Sequence, residues 1–144
     1  MTGLIWLVQV VQYPLFKNVG PDSFVTYHAL HSQRITWIVA PIMGIELISA
    51  IWGTYLEFQP SESSPHLLSP STATLCLLLS MGVFGVTALF SVPSHRLLAG
   101  GFDPQAYQKL LSTNWIRTTL WTIHSLIGFF FVSQLARIAV LRSN

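Results

Sequence analysis

Four apolar runs divide the chain, and they predict four membrane-spanning helices. A helix needs about 20 mostly apolar residues to cross a bilayer, and three of the runs have that length. The predicted spans are residues 1–17, 35–56, 71–92 and 118–136. The first run provides only about 24 Å of helix, so it borrows residues from the next loop, thins the bilayer or begins further upstream. It has neither the basic start nor the small-residue cleavage site of a signal peptide.

The predicted fold is all-α: a four-transmembrane-helix bundle in a single integral membrane domain, residues 1–144. The second and fourth helices begin before the membrane, because Pro21 and Pro104 each belong to a helix start signal. Each helix has about 35 residues or more and a length above about 50 Å, which exceeds a hydrocarbon core of about 30 Å. Their first turns form a polar vestibule. The connection at residues 59–71 is rich in proline and serine and predicts a flexible outer loop, with His66 in solvent.

A polar pattern occurs twice, each time just before a long apolar run. The first copy is His31-Ser-Gln-Arg34-Ile-Thr36, and the second is Asn114-Trp-Ile-Arg117-Thr-Thr119. Pro14 closes the first apolar run, and Pro93 closes the third. These matches favour two copies of one helical hairpin, in which Arg34 and Arg117 are equivalent.

The composition supports a membrane protein and argues against nucleic-acid binding. Hydrophobic residues make up 51% of the chain, charged residues make up 8%, and the mean hydropathy is +0.56. A net charge of +2 without basic clusters does not fit a nucleic-acid interface. The single cysteine, Cys76, lies inside the third span and cannot form an intramolecular disulfide.

The distribution of lysine and arginine predicts the orientation. Basic residues concentrate in the loops at 17–34 and 93–117, and the connection between the second and third spans has none. By the positive-inside rule these two loops face the cytoplasm and both termini lie outside. The protein is therefore assigned to the inner, or cytoplasmic, membrane.

Helical arithmetic collects the polar residues of the fourth helix on one side. At 100° per residue, Asn114, Arg117, Trp121 and His124 fall within an arc of about 80°. Ionisable groups inside a membrane cost several kcal/mol unless they are paired or hydrated, so this face indicates a site. The predicted site is a cytoplasm-facing polar funnel. Its mouth holds His28, His31, Arg34, His95, Asn114 and Arg117, its middle holds Gln9, Gln12 and His124, and Glu46 lies deepest.

Structural explanations compete with this interpretation. The two repeated arginines could extend to the lipid headgroups, Glu46 could be a protonated acid between helices, and His124 could be a satisfied core histidine. The spacing of His28 and His31 is compatible with a metal, so a metal site formed by His28, His31 and His95 is an alternative. A further alternative is a non-catalytic small subunit of a membrane complex.

Two short motifs in the second half resemble the anthrone-oxygenase-like family of small four-helix membrane proteins. They are Ser91-Val-Pro93-Ser-His95 and Asn114-Trp-Ile-Arg117-Thr118. In that family an Asn-Val-Pro-x-Asn element follows helix three and an Asn-x-x-Arg-Thr element opens helix four. Here Ser91 and His95 replace both asparagines of the first element, and the resemblance covers about a third of the chain. It implies an oxygenase that converts an anthrone to an anthraquinone without a cofactor.

The sequence therefore predicts a membrane protein whose funnel binds a planar apolar molecule, aromatic or quinone-like. In an enzyme of this kind, His124 or His31 would remove a proton, and Arg117 with Arg34 would stabilise the resulting anion. Asn114 would orient a carbonyl group, and no metal or other cofactor is expected. The predicted partners are the lipid bilayer, a small apolar ligand and either further copies of the chain or a larger membrane complex. The remaining ligand-binding residues are expected to be Gln9, Gln12, Glu46, His95 and Trp121.

Overall fold

The computed structural model describes residues 1–59 and 69–143, which form helices and turns with no strand among them. There are four helices: α1 at residues 2–18, α2 at Pro21–Glu57, α3 at Pro70–Leu98 and α4 at Pro104–Ser143. The predicted all-α bundle is confirmed. The predicted position of His66 lies outside the described residues, as does most of the expected outer loop.

Three of these helices, α2, α3 and α4, are long and apolar enough to cross a membrane. This finding indicates a membrane protein. Helix α1 is not among the three, because at about 25 Å it is shorter than the hydrocarbon core of a bilayer. Large apolar side chains also cover the outside of the bundle: Trp37 is 77% exposed and Phe129 is 75% exposed. An apolar outer surface of this kind fits contact with lipid.

The predicted start signals lie at the first residues of α2 and α4. Pro21 is the first residue of α2, where its missing N–H is no loss. At α4, the Asp103 carboxylate accepts a hydrogen bond of 2.7 Å from the Ala106 N–H. Helix α2 has 37 residues and α4 has 40, so both are as long as the sequence predicts. Pro41 lies within α2 without ending it.

Pro14 and Pro93, which close the first and third apolar runs, do not end their helices. A π-helical turn precedes each proline, at Val8–Gln12 in α1 and at Thr87–Ser91 in α3. Proline has no N–H to donate to the carbonyl four residues earlier, and the wider turn accommodates this missing bond. Both helices continue beyond the proline, α1 to Asn18 and α3 to Leu98. The two π turns carry polar residues into the bundle.

Helix α4 is central in the bundle, and α2 is peripheral. Along their lengths, α4 packs against α3 and contacts α1, whereas the main neighbour of α2 is α3. Gly82 of α3 allows a close approach to α4, because a Cβ atom there would lie 3.3 Å from Leu120 Cδ1. Helices α1 and α2 join through a short turn and then leave space between them. That space contains the main cavity of the molecule.

Candidate functional site

The main cavity has a volume of about 600 Å³ and lies between α1, α2 and α3, with one side chain from α4. This volume is within the range of small-molecule sites. One end has apolar walls that include Val8, Met43 and Phe84. The other end has the polar groups of Tyr13, His28, Ser91, His95 and Arg117. The cavity is therefore amphiphilic, with a polar end and a long apolar end.

Three histidines meet at the polar end. His28 Nε2 lies 3.0 Å from His95 Nδ1, and the Tyr13 hydroxyl lies 3.1 Å from His95 Nε2. His31 Nδ1 lies 2.9 Å from the Gln12 side-chain nitrogen, and its ring centroid is 5.9 Å from that of His95. The structure thus brings together the three histidines that the sequence left as alternative metal ligands. Of the three, His28 and His95 line the cavity.

Tyr13, His95 and His28 form a chain of hydrogen bonds. Each N···N or O···N contact needs one protonated atom and one free lone pair. In neutral histidines the donors therefore run in one direction, either from Tyr13 towards His28 or from His28 towards Tyr13. The chain ends at His28 Nδ1, which has no hydrogen-bond partner although His28 is only 1% exposed. A proton taken up at this nitrogen can be passed along the chain by exchange of tautomers.

Arg117 is at the centre of a second polar group. It is 5% exposed, and it donates hydrogen bonds to Asn114 Oδ1 at 3.0 Å and to Ser91 Oγ at 3.3 Å. The Asn114 amide donates to Gln9 Oε1 at 2.7 Å, and Gln9 donates to the Leu111 carbonyl oxygen at 3.3 Å. These bonds connect α1, α3 and α4 in the interior.

Local sequence explains how these residues meet. Asn114, Arg117 and Trp121 are spaced by three and four residues on α4, so they share its inner face. The guanidinium carbon of Arg117 lies 5.1 Å from the centroid of the Trp121 ring, a cation–π geometry. Gln9 and Ser91 belong to the two π turns. The π turns and the polar face of α4 therefore build this group together.

Glu46 and His124 form a separate pair further along the bundle. His124 Nδ1 lies 3.0 Å from Glu46 Oε1, and the Trp121 indole N–H donates to Glu46 Oε2 at 2.7 Å. Both residues of the pair line a second cavity of about 320 Å³ between α2, α3 and α4. The pair does not line the main cavity.

The structure divides the predicted funnel into two cavities. Arg34 is exposed on α2 and lines neither of them. Gln12 contacts His31 at the polar end, whereas the sequence placed it level with His124. The reason for the difference at Arg34 is the peripheral position of α2, which buries only a narrow stripe containing His28, His31 and Met43.

Tyr13 is the main site residue that the sequence analysis did not select. It is 4% exposed and contacts both His95 and the Arg117 guanidinium. Its position beside Pro14 was the available signal, because a proline inside an apolar helix often marks an irregular turn near a functional site.

No group of three or more histidine, cysteine, aspartate or glutamate side chains with metal-holding geometry occurs among residues 1–59 and 69–143. The imidazole nitrogens that meet at the polar end contact each other, Tyr13 and Gln12. Comparisons with protein-family models, curated proteins and solved structures found no match. The resemblance of the second half to the anthrone-oxygenase-like family remains a prediction.

Proposed function

We propose that this membrane protein binds a planar apolar molecule, aromatic or quinone-like, in the main cavity. The observation that carries the proposal is the distribution of polar groups, which gather at one end of a 600 Å³ cavity with apolar walls. The ring system of the ligand packs among Val8, Met43 and Phe84. Its oxygen atoms lie at the polar end, within reach of Arg117 and His28. Such a ligand satisfies the buried donors and fills the apolar volume.

We further propose that the bound molecule is oxygenated without a cofactor. His28 Nδ1 takes a proton from an activated C–H group of the ligand. The hydrogen-bond chain from His28 through His95 to Tyr13 then carries a proton away from the ligand. Arg117 stabilises the enolate or phenolate that forms. The carbanion carbon adds dioxygen, and protonation gives a hydroperoxide. This intermediate then loses water, with cleavage of its O–O bond and the remaining C–H bond, to leave a carbonyl group.

This mechanism reassigns the base that the sequence analysis selected. His124 is paired with Glu46 at the second cavity, and His31 does not line the main cavity. His28 lines the main cavity and its Nδ1 has no hydrogen-bond partner, so it is the better candidate. Asn114 acts through Arg117, whose guanidinium it holds.

A metal-binding function is the second candidate. The observation that favours it is the approach of three imidazole rings, with centroids 5.2 to 6.4 Å apart for His28, His31 and His95. Their present arrangement does not hold a metal, so binding would require the rings to reorient. Histidine nitrogen is the commonest protein ligand for transition metals. Elemental analysis of the purified protein separates this candidate from the first.

The test of the proposed function uses protein purified in a neutral detergent and 1,8-dihydroxyanthrone as the probe. We expect the protein to bind this probe tightly and to convert it to the anthraquinone only when oxygen is present. The visible absorbance of the anthraquinone measures its formation. Ala40→Trp fills the apolar part of the cavity and should reduce binding and turnover by about tenfold or more. Ala136→Trp is the matched control, because Ala136 is an exposed alanine of α4 that lines neither cavity.

The outcomes of this test are distinct. Binding that Ala40→Trp abolishes, without turnover, supports a binding protein and removes the oxygenase. Equal behaviour of the two tryptophan variants would contradict the proposed site. One metal per chain, lost in His28→Ala, would favour the second candidate.

We also propose that the polar end of the main cavity faces the cytoplasm and that the C-terminus lies outside. The basic loops at 17–34 and 93–117 lie at this end of the bundle. In a Cys76→Ser background, Gln59→Cys should react with an impermeant thiol reagent in intact cells, and Gln105→Cys should react only after the membrane is opened. Both positions are exposed: Gln59 comes just after the end of α2, and Gln105 lies in the first turn of α4. The reverse labelling pattern would overturn this orientation.

A further inference from the structure

We infer that the ligand of the main cavity binds as an anion, with an ionised phenolate, enolate or carboxylate oxygen as the counter-ion of Arg117. The inference rests on the proposed function, because it assigns a charge to the ligand of that same site. A planar ligand with an ionisable oxygen should therefore bind more tightly than a quinone of the same shape without one.

Arg117 is surrounded by neutral groups. The described contacts of its guanidinium are the Ser91 hydroxyl, the Asn114 amide, the Tyr13 hydroxyl and the Trp121 ring. Each of these groups is formally neutral. A buried charge without a counter-ion costs several kcal/mol, and the cost is greatest in a membrane. An anionic ligand supplies the missing charge.

The polar end also has buried donors without partners. Arg117 Nε has no hydrogen-bond partner, and neither has the buried Ser32 hydroxyl on the cavity wall. Arg96 also lines the cavity. Buried donors without acceptors are rare in folded proteins, so this set indicates a ligand group that mainly accepts hydrogen bonds.

The wall of the main cavity has no acidic side chain among the described residues, since none of the residues that line it is an aspartate or a glutamate. Glu46 lies at the second cavity with His124, and Asp103 caps the start of α4. A cationic ligand would therefore meet two arginines and no carboxylate, which is strongly unfavourable.

The test compares two probes of nearly equal shape, anthraquinone-2-carboxylate and anthraquinone-2-carboxamide. Binding to purified protein in a neutral detergent is measured by calorimetry. We expect the acid to bind about tenfold more tightly than the amide, since hydrogen bonds to charged groups are stronger than neutral ones. Arg117→Gln should reduce this ratio to about one. Arg137→Gln is the control, because Arg137 is exposed on α4 away from both cavities, and it should keep the ratio.

The ratio of the two dissociation constants is taken within one preparation, so partial misfolding of a variant does not alter it. If Arg117→Gln yields no protein, the ratio of the unmodified chain decides alone. Equal binding of acid and amide would overturn the inference and leave the proposed function standing. Failure of both probes to bind would remove the proposed function as well. Competition by phosphatidylglycerol but not by phosphatidylcholine would show that an anionic lipid occupies the site and would overturn the assignment of an aromatic anion, whereas resistance to both lipids would support it.

Discussion

Helices α2 and α4 carry the same sequence pattern in different surroundings. Both begin at a proline, both are long, and both place an arginine just before an apolar stretch. Arg117 of α4 is buried and donates hydrogen bonds to Ser91 of α3 and to Asn114 of its own helix, whereas Arg34 of α2 is exposed. The difference follows from the neighbours: α4 lies against both α1 and α3, and α2 lies mainly against α3. A repeated pattern can therefore predict equivalent helices without predicting equivalent environments.

The comparison also explains where the main cavity forms. A helix with neighbours on two sides buries a wide arc, so α4 encloses Asn114, Arg117 and Trp121 completely. A peripheral helix buries a narrow stripe, and the space beside that stripe remains open. In this molecule the open space lies between α1 and α2, and His28 faces it. The difference in packing between α2 and α4 thus provides both the cavity and its polar end.

Replacing each arginine by lysine should affect the two helices very differently. Arg117→Lys keeps the charge but loses the planar fork that bonds Asn114 and Ser91. We expect anthraquinone-2-carboxylate to bind Arg117→Lys about tenfold more weakly or worse, which corresponds to the loss of one charge-assisted hydrogen bond. Arg34→Lys should change binding by less than about twofold, because an exposed arginine contributes little.

Expression and membrane insertion of the two lysine variants are the accompanying measurements, and both should match the unmodified protein. A similar loss of binding in both variants would show that the two arginines share a site after all. Unchanged binding in both would mean that each arginine only contacts the headgroups.

The sequence predicted the fold well because hydrophobic runs and helix start signals are local. It also predicted the inner face of α4, since Asn114, Arg117 and Trp121 follow the 3.6-residue period. It failed where a position depends on tertiary packing, as at Arg34. It also failed for Gln12, which it placed level with His124 from its distance to Lys17 along α1, because Gln12 contacts His31 at the polar end. Tyr13 was not selected.

A smaller effect, on stability, tests the different packing of the two helices. Gly82 of α3 faces Leu120 of α4 with little space, whereas a Cβ atom at Gly44 of α2 would have no neighbour within 4 Å. Alanine favours a helix over glycine by about 0.5–1 kcal/mol, so Gly44→Ala should raise the melting temperature in detergent. At Gly82 the same gain is offset, because Leu120 must move to admit the new methyl group. We therefore expect Gly82→Ala to melt below Gly44→Ala in thermal unfolding followed by circular dichroism. If the two variants are equally stabilised, the contact of α3 with α4 is looser than described and the contrast between a central α4 and a peripheral α2 loses its physical basis.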